Sequence, residues 1–218
     1  MQVHNVTADA ATFTCNAYLA VGDRTVLVDA GSMPGVVDAI RNRVEDLDAV
    51  VLTHQHRDHV GQLDSVLDAF DPELLCYDDH PRRTRALADG DEVQIGDETF
   101  EAVYSPGHAD DHLAFVSEST IFSGDVVVYS DGAFDDGSFG RTDMAGQSRE
   151  REIESIREIL DRLPEGVAER SSAARETESH GVERMYAGHG DEFQGDVREV
   201  IERALERAER REPKYPEE

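Results

Sequence analysis

The apolar positions of this chain change period several times, and each change marks an element. Residues 2–29 read as a β-rich start: Phe13 to Ala20 alternates loosely, Gly22-Asp23 is a turn signal, and Thr25 to Asp29 is a further strand. The spacing then becomes helical, with Pro34 near the start and Val36, Val37, Ile40, Val44 and Leu47 on one face. Ala49-Val50-Val51-Leu52 is a short β-branched run of the kind that forms a buried strand, and Val60, Leu63, Val66, Leu67 and Phe70 return to helical spacing. Glu73 to Tyr77 predicts a strand, residues 79–88 a short helix, and residues 92–95 and 99–104 a hairpin around Gly96-Asp97. Leu113 to Val116 and Ile121 to Val126 are strands, followed by a long loop over 126–147. Ser148 caps a helix that buries Ile153, Ile156, Ile159, Leu160 and Leu163. Residues 164–181 are dense in Ser, Glu and Arg with no apolar period, as expected of a surface insertion. A strand at 182–186 and an amphipathic helix at 195–211 complete an α/β chain, expected to form one domain over residues 1–218.

The candidate chemistry concentrates between the strand at 49–52 and the helix after it, in Thr53-His54-Gln55-His56-Arg57-Asp58-His59. Binding residues gather at this kind of place, outside the carboxyl ends of strands. Imidazole and carboxylate suit zinc, iron or manganese. His54 and His56 are two apart, so in an extended loop they point the same way and can grip one ion. Asp58 and His59 at the turn into the helix are placed to hold a second.

An HxHxDH run at a strand-to-helix junction resembles the signature of the metallo-β-lactamase superfamily. That resemblance implies a four-layer αββα sandwich and one or two metals, and further ligands downstream. Pro106-Gly107-His108 matches the family's PGH motif, Gly124-Asp125 its metal-bridging aspartate, and Ala187-Gly188-His189-Gly190 its last ligand. Carried over, one ion takes His54, His56 and His108, the other Asp58, His59 and His189, and Asp125 is shared. Asp29, which closes a strand in Asp29-Ala30-Gly31, resembles a supporting residue near the metal loop; on the residues alone it reads equally as a strand-ending turn carboxylate. His112 resembles the second histidine of thioesterase-like members, where it is not usually a ligand, or simply begins the next strand. Gly140-Arg141-Thr142-Asp143 resembles two branches, the single-domain glyoxalase II-like thioesterases and the persulfide dioxygenases, in which Arg141 and Asp143 help shape the site. An Arg–Asp pair stabilising a loop reads the same way. Tyr129, Phe134 and Phe139 in the loop at 126–147 are expected at the rim of a substrate pocket.

Composition narrows the partners. The 218 residues carry 48 acids against 21 bases, a formal charge of −27, with Lys214 the only lysine. So acidic a surface argues against nucleic acid, whose phosphates require a basic face. It is expected of a halophilic, haloarchaeal-type protein, because concentrated salt screens self-repulsion. A local exception, His80-Pro81-Arg82-Arg83-Thr84-Arg85, reads as a solvated face or as a seat for an anionic group. No run of 18 apolar residues suggests a membrane span, no basic-then-apolar leader is seen, and two cysteines, Cys15 and Cys76, do not make a disulfide framework. A cytoplasmic protein is expected.

The resemblance implies a binuclear hydrolase, with two divalent ions (zinc first, iron or manganese as substitutes), a hydroxide held between them, and catalysis centred on Asp58 and Asp125. A small-molecule 2-hydroxyacyl thioester is the expected substrate, because a thiolate of pKa about 8.5 departs without a strong acid. Glutathione itself is less expected, since two-domain glyoxalase II enzymes bind it through a C-terminal helical domain and 29 residues follow His189 here. The alternatives are a one-iron persulfide dioxygenase held by His54, His108 and Asp125, a lactonase, and a metal-binding module without activity.

Overall fold

The computed structural model describes residues 1–164 and 181–214. Two six-stranded sheets face one another, each with helices on its outer side. The first contains β1 (Gln2–Asn5), β2 (Tyr18–Val21), β3 (Val26–Val28), β4 (Ala49–Val51), β5 (Glu73–Cys76) and β6 (Arg85–Ala86), in that order. The second contains β7 (Glu92–Ile95), β8 (Glu98–Tyr104), β9 (Leu113–Val116), β10 (Thr120–Gly124), β13 (Arg184–Ala187) and β14 (Phe193–Gln194), in the order β14-β13-β10-β9-β8-β7. Two small strands, β11 (Val127–Val128) and β12 (Ser138–Phe139), pair beside them. Helices α1 (Val36–Arg41), α2 (Arg57–Val60) and α3 (Leu63–Phe70) belong to the first half, α4 (Arg149–Arg162) and α5 (Val197–Glu209) to the second.

The period of two in the strands builds these layers. Leu19, Leu27, Val50 and Leu74 are successive register partners, so all four share one face and pack under α1 and α3 with Ile40, Val66 and Leu67. Their neighbours Tyr18, Val26, Val28, Ala49 and Val51 point the other way, against Phe100, Phe115 and Phe122 of the second sheet. The far face of that sheet, with Val103, Ala114 and Ile121, packs under α4 and α5 through Ile156, Ile159, Val200 and Ile201. Three apolar interfaces therefore separate four layers, and the strand ends meet along one edge of the sandwich.

Several boundaries differ from expectation. No helix forms over 79–88: residues 81–84 turn and β6 adds a strand to β5. The stretch has no apolar face to dock. Its arginines pair instead with acids, Arg82 with Asp68 (2.5 Å) and Arg83 with Asp79 (2.5 Å), so the patch is a solvated ion-paired face. Residues 10–17 are loop, not strand, since they cross over the ends of the sheets: Asn16 N–H donates to Gly188 O. The first helix ends at Arg41, and Val44 and Leu47 reach the same core from turns. Within α4, Glu152 and Ser155 are buried alongside the expected isoleucines. The insertion at 164–181 falls mostly on residues 165–180, which lie outside the described residues.

Candidate metal centre

The histidine loop leaves β4 at its carboxyl end, as its apolar run requires, and enters α2 after five residues. His54 Nε2 lies 3.0 Å from His56 Nδ1, which lies 2.9 Å from His108 Nε2, so three nitrogens from two loops converge. Asp58, His59 and His189 form a second group, with His189 Nε2 3.1 Å and His59 Nε2 3.8 Å from Asp58 Oδ2. Asp125 stands between them: its Oδ2 is 3.3 Å from His108 Nε2 and 3.4 Å from His189 Nε2, and its Oδ1 is 3.4 Å from His59 Nε2. All seven ligands expected from the motifs thus meet at one point, from stretches as far apart as residues 54 and 189.

Bare nitrogens at such distances are the geometry of ligands aimed at a common centre. His59 Nε2 and Asp125 Oδ1 are buried with no hydrogen-bond partner. Left so, each would carry the full cost of desolvation, about 1–3 kcal/mol or more for a charged group; a cation between them removes it. The opposite nitrogens of three of the rings are already engaged, so the inward ones face the centre and could serve an ion as lone pairs. His54 Nδ1 lies 3.1 Å from Thr53 Oγ1, His59 Nδ1 2.9 Å from Asp29 Oδ2, and His108 Nδ1 2.8 Å from Arg141 O. The residues present fit one or two divalent ions.

The supporting residues explain how this is held. Asp29, 2% exposed and in the left-handed region at φ 58°, accepts from Thr53 N–H (2.8 Å), Thr53 O–H (2.7 Å) and His59. It is therefore more than a turn carboxylate. His112 is fully buried and is not among the convergent ligands; its Nε2 accepts from Asp125 N–H (3.0 Å) while Nδ1 meets Ser105 Oγ (2.8 Å). A register shift at the end of β10 and Gly124 at φ 51° bring Asp125 inward, and a Cβ at Gly124 would sit 2.4 Å from His112 Nε2. Gly188 answers a different need: a Cβ there would lie 2.1 Å from Asp125 Oδ1.

Charge follows the same division. Burial, then the neighbouring histidine charges, push His54 well below the ordinary imidazole value; His56 and His108 fall with burial as well. Burial and His108 take His112 down to about 3, so it is neutral. Burial also opposes protonation of His189, but Asp125 and Asp58 outweigh it and carry the ring up to about 9. Burial alone would raise Asp125, yet the facing His59 and His189 hold it well below the usual carboxylate range. Protons on the second group therefore offset carboxylate charge, a task a metal ion performs better.

Above the centre lies a cleft of about 550 Å³ with His56, Asp58, His108, Asp125 and His189 at its floor. Arg141 lines it, paired with Asp143 (Nη2 to Oδ2, 2.7 Å). The three rim aromatics expected from the loop are elsewhere, Phe134 against the guanidinium of Arg207 at 4.4 Å. Phe139 is fully buried in the core under α4 and α5, and Tyr129 packs on Phe193 at 4.7 Å, because β11 and β12 turn the apolar side chains of this loop inward. The exposed apolar groups of the rim are Phe13 and Met144, and the far side holds Lys214 in a buried ion pair with Asp131 (2.7 Å). Sequence reading also missed Glu152. Its Oε1 accepts from Gly140 N–H (3.0 Å), while Ser155 Oγ donates to Pro106 O (2.6 Å) and Ser148 N–H to Gly107 O (2.9 Å), so the start of α4 clamps the loop carrying His108. The one available signal was a Glu on the apolar face of the predicted helix. Cys15 and Cys76 are both free, and Cys15, taken by burial up to about 11, has its Sγ within 4.8 Å of a carboxylate oxygen of Asp29 and a ring nitrogen of His59.

Comparison with known proteins agrees with this architecture. Residues 10–84 match the metallo-beta-lactamase superfamily model. The chain is 31% identical over 123 residues to a hydroxyacylglutathione hydrolase of Hydrogenovibrio crunogenus, a match covering 55% of this chain and 46% of that protein. It is 35% identical over 122 residues to thioesterase pkgB of Emericella nidulans, covering 52% and 36%. The chain thus spans less than half the length of these curated relatives. Among solved structures, ETHE1 from Myxococcus xanthus superposes with a TM-score of 0.66 at 20% identity, covering 94% of this chain and 89% of that one. The α/β fold is metallo-β-lactamase-like.

Proposed function

We propose that this chain is a metal-dependent hydrolase of the metallo-β-lactamase superfamily, related to the glyoxalase II-like thioesterases and acting on small 2-hydroxyacyl thioesters. The observation that carries the reading is the convergence of His54, His56 and His108 on one side of Asp125 and of Asp58, His59 and His189 on the other, with His59 Nε2 and Asp125 Oδ1 buried and unpartnered. The first set would hold one ion, the second set the other, with Asp125 shared. Bound there, a metal pair supplies Lewis acidity and water whose pKa falls from 15.7 to about 7.

The chain's own residues do the rest. Asp29, Thr53 and the carbonyl of Arg141 keep the protons of His59, His54 and His108 on the outward nitrogens. His112 fixes the backbone of Asp125. The cleft admits the acyl carbonyl to the floor and leaves the sulfur half toward the rim. Water adds to the thioester carbon, the C–S bond breaks, and a hydroxy acid and a thiol depart. A thiolate of pKa about 8.5 needs no strong acid to leave, which suits a floor whose carboxylates are both ligands. A one-iron dioxygenase held by His54, His108 and Asp125 would leave Asp58, His59 and His189 gathered without a task.

Metal content of protein purified in high salt without added metal is the direct test. About two ions per chain and turnover of a lactoyl thioester are expected, and Asp58→Ala with His59→Ala should abolish turnover. Full activity of that double variant would end the two-metal reading. One iron per chain, with oxygen consumed in the presence of a persulfide, would replace it.

A further inference from the structure

In a chain with 48 acids and 21 bases, almost every described cation has a partner. The arginines pair with carboxylates, as Arg24 with Glu73, Arg151 with Asp110 and Arg184 with Glu98, or donate to backbone carbonyls, as Arg43 and Arg198 do. Arg41 lies over Phe70. Arg57 is the exception. Among the described residues it makes no hydrogen bond, ion pair or ring contact, although it is exposed in a strongly acidic protein and lines the cleft beside Asp58.

Its surroundings share a second peculiarity. Phe13 is 78% exposed, one of two large apolar side chains left open among the described residues, and its ring stacks on His189 at 5.2 Å and 15°. The segment carrying Phe13 is tied to the Arg57 stretch through Cys15 N–H to Asp58 O (3.5 Å). Phe13 and Arg57 therefore stand together on the Asp58–His189 side, while Arg141 and Gln147, tied to His108 through its ring and its carbonyl, form the other side. Arg141 already has Asp143 as counter-ion. The wall that offers an uncompensated charge is the one with a flat apolar face next to it.

We propose that this wall selects the leaving half of the substrate: a thiol that carries a carboxylate, its aliphatic part lying on Phe13 and its anion on Arg57. The inference rests on the thioesterase reading. The acyl carbonyl has to reach the floor, so the thiol half is what meets the rim. A net charge of −27 repels an anion approaching anywhere else on the surface, and Arg57 supplies a local attraction with the planar fork that suits a carboxylate.

The test uses two thioesters of the same hydroxy acid, one made with 3-mercaptopropionate and one with its uncharged amide, so that leaving sulfur and length are matched. With metal-loaded protein in low salt, kcat/KM for the carboxylate is expected to exceed that for the amide by about tenfold, mostly through KM. The preference should fall as salt rises. In Arg57→Glu the ratio should invert, and in Phe13→Ala both KM values should rise; metal content measured on each variant separates these effects from disturbance of Asp58. Equal turnover of the two esters by the unaltered protein, or a preference that survives Arg57→Glu, would overturn the proposal and leave the thioesterase reading standing. Turnover of neither ester would overturn both.

Discussion

Replacing Asp29 tests how much of the centre depends on a residue that would touch no metal. Its carboxylate is 2% exposed and accepts three hydrogen bonds, from Thr53 N–H, Thr53 O–H and His59 Nδ1–H, at 2.7 to 2.9 Å. Asp29→Ala strands three buried donors, and breaking a buried charged pair costs about 3–5 kcal/mol, enough to threaten folding. Asp29→Asn is the sharper variant. Asparagine tolerates φ 58° and keeps the shape, so only acceptor capacity changes. One amide oxygen replaces two carboxylate oxygens, and an NH₂ faces a donor. About 1–2 kcal/mol of stability should be lost. His59 then has no reason to keep its proton on Nδ1, and in the other tautomer Nε2 can no longer ligate. Loss of such an outer partner weakens metal affinity by about 10- to 100-fold. Chelator competition should therefore show one site weakened in Asp29→Asn, while the site of His54, His56 and His108 keeps its affinity; urea melts give the stability term. If both ions bind the variant as tightly as the unaltered protein, the carboxylate does not set the His59 tautomer and the reasoning fails.

Three further outcomes are expected. Gly188→Ala puts a Cβ 2.1 Å from Asp125 Oδ1, so Asp125 must move; the variant should fold by circular dichroism yet lose about a hundredfold or more in kcat/KM, and normal kinetics would mean that Asp125 is not held in place by this contact. Burial raises Glu152 well above its unfolded 4.5, so the stability it contributes is complete below about pH 4.5 and declines as pH climbs toward its folded value. Glu152→Gln should flatten that decline in denaturant melts from pH 5 to 9, and an unchanged slope would show that Glu152 is not the group responsible. Finally, a charge of −27 stabilises by its removal: melting temperature should rise between 0.1 M and 2 M potassium chloride, as the screening length contracts from about 10 Å to about 2 Å. A flat response would count against adaptation to concentrated salt.

Much of this was legible before any coordinates. Strands of period two and helices of period 3.6 depend on local alternation, so most of the elements are legible from where apolar residues recur, while the four-layer arrangement is an expectation carried by the family resemblance. The four metal-type ligands at 54–59 are legible because the chemistry demands particular residue types and they lie within six positions, whereas His108, Asp125 and His189 are picked out by the family motifs they resemble. The failures have physical causes too. The stretch at 79–88 has adequate helix formers but no apolar face, and packing rather than propensity decided it. A long loop is expected to expose its aromatics, but two short strands turn Phe139 and Tyr129 inward, Phe134 packs against Arg207, and Phe13, from a stretch whose alternation predicts a strand, takes the rim instead.

What the sequence determined by itself was the set of elements and the kinds of atoms available for chemistry, since both are local or compositional. What only the tertiary structure decided was how those atoms face one another. Asp29 reads as the end of a strand, and becomes the anchor of His59 only when residues 29 and 59 meet at 2.9 Å. Glu152 reads as one acid among 48, and becomes the clamp of two loops only when the interior around it is closed. Arg57 reads as one more charge in a histidine loop, and that it has no partner among the described residues is decided only by where those residues fold.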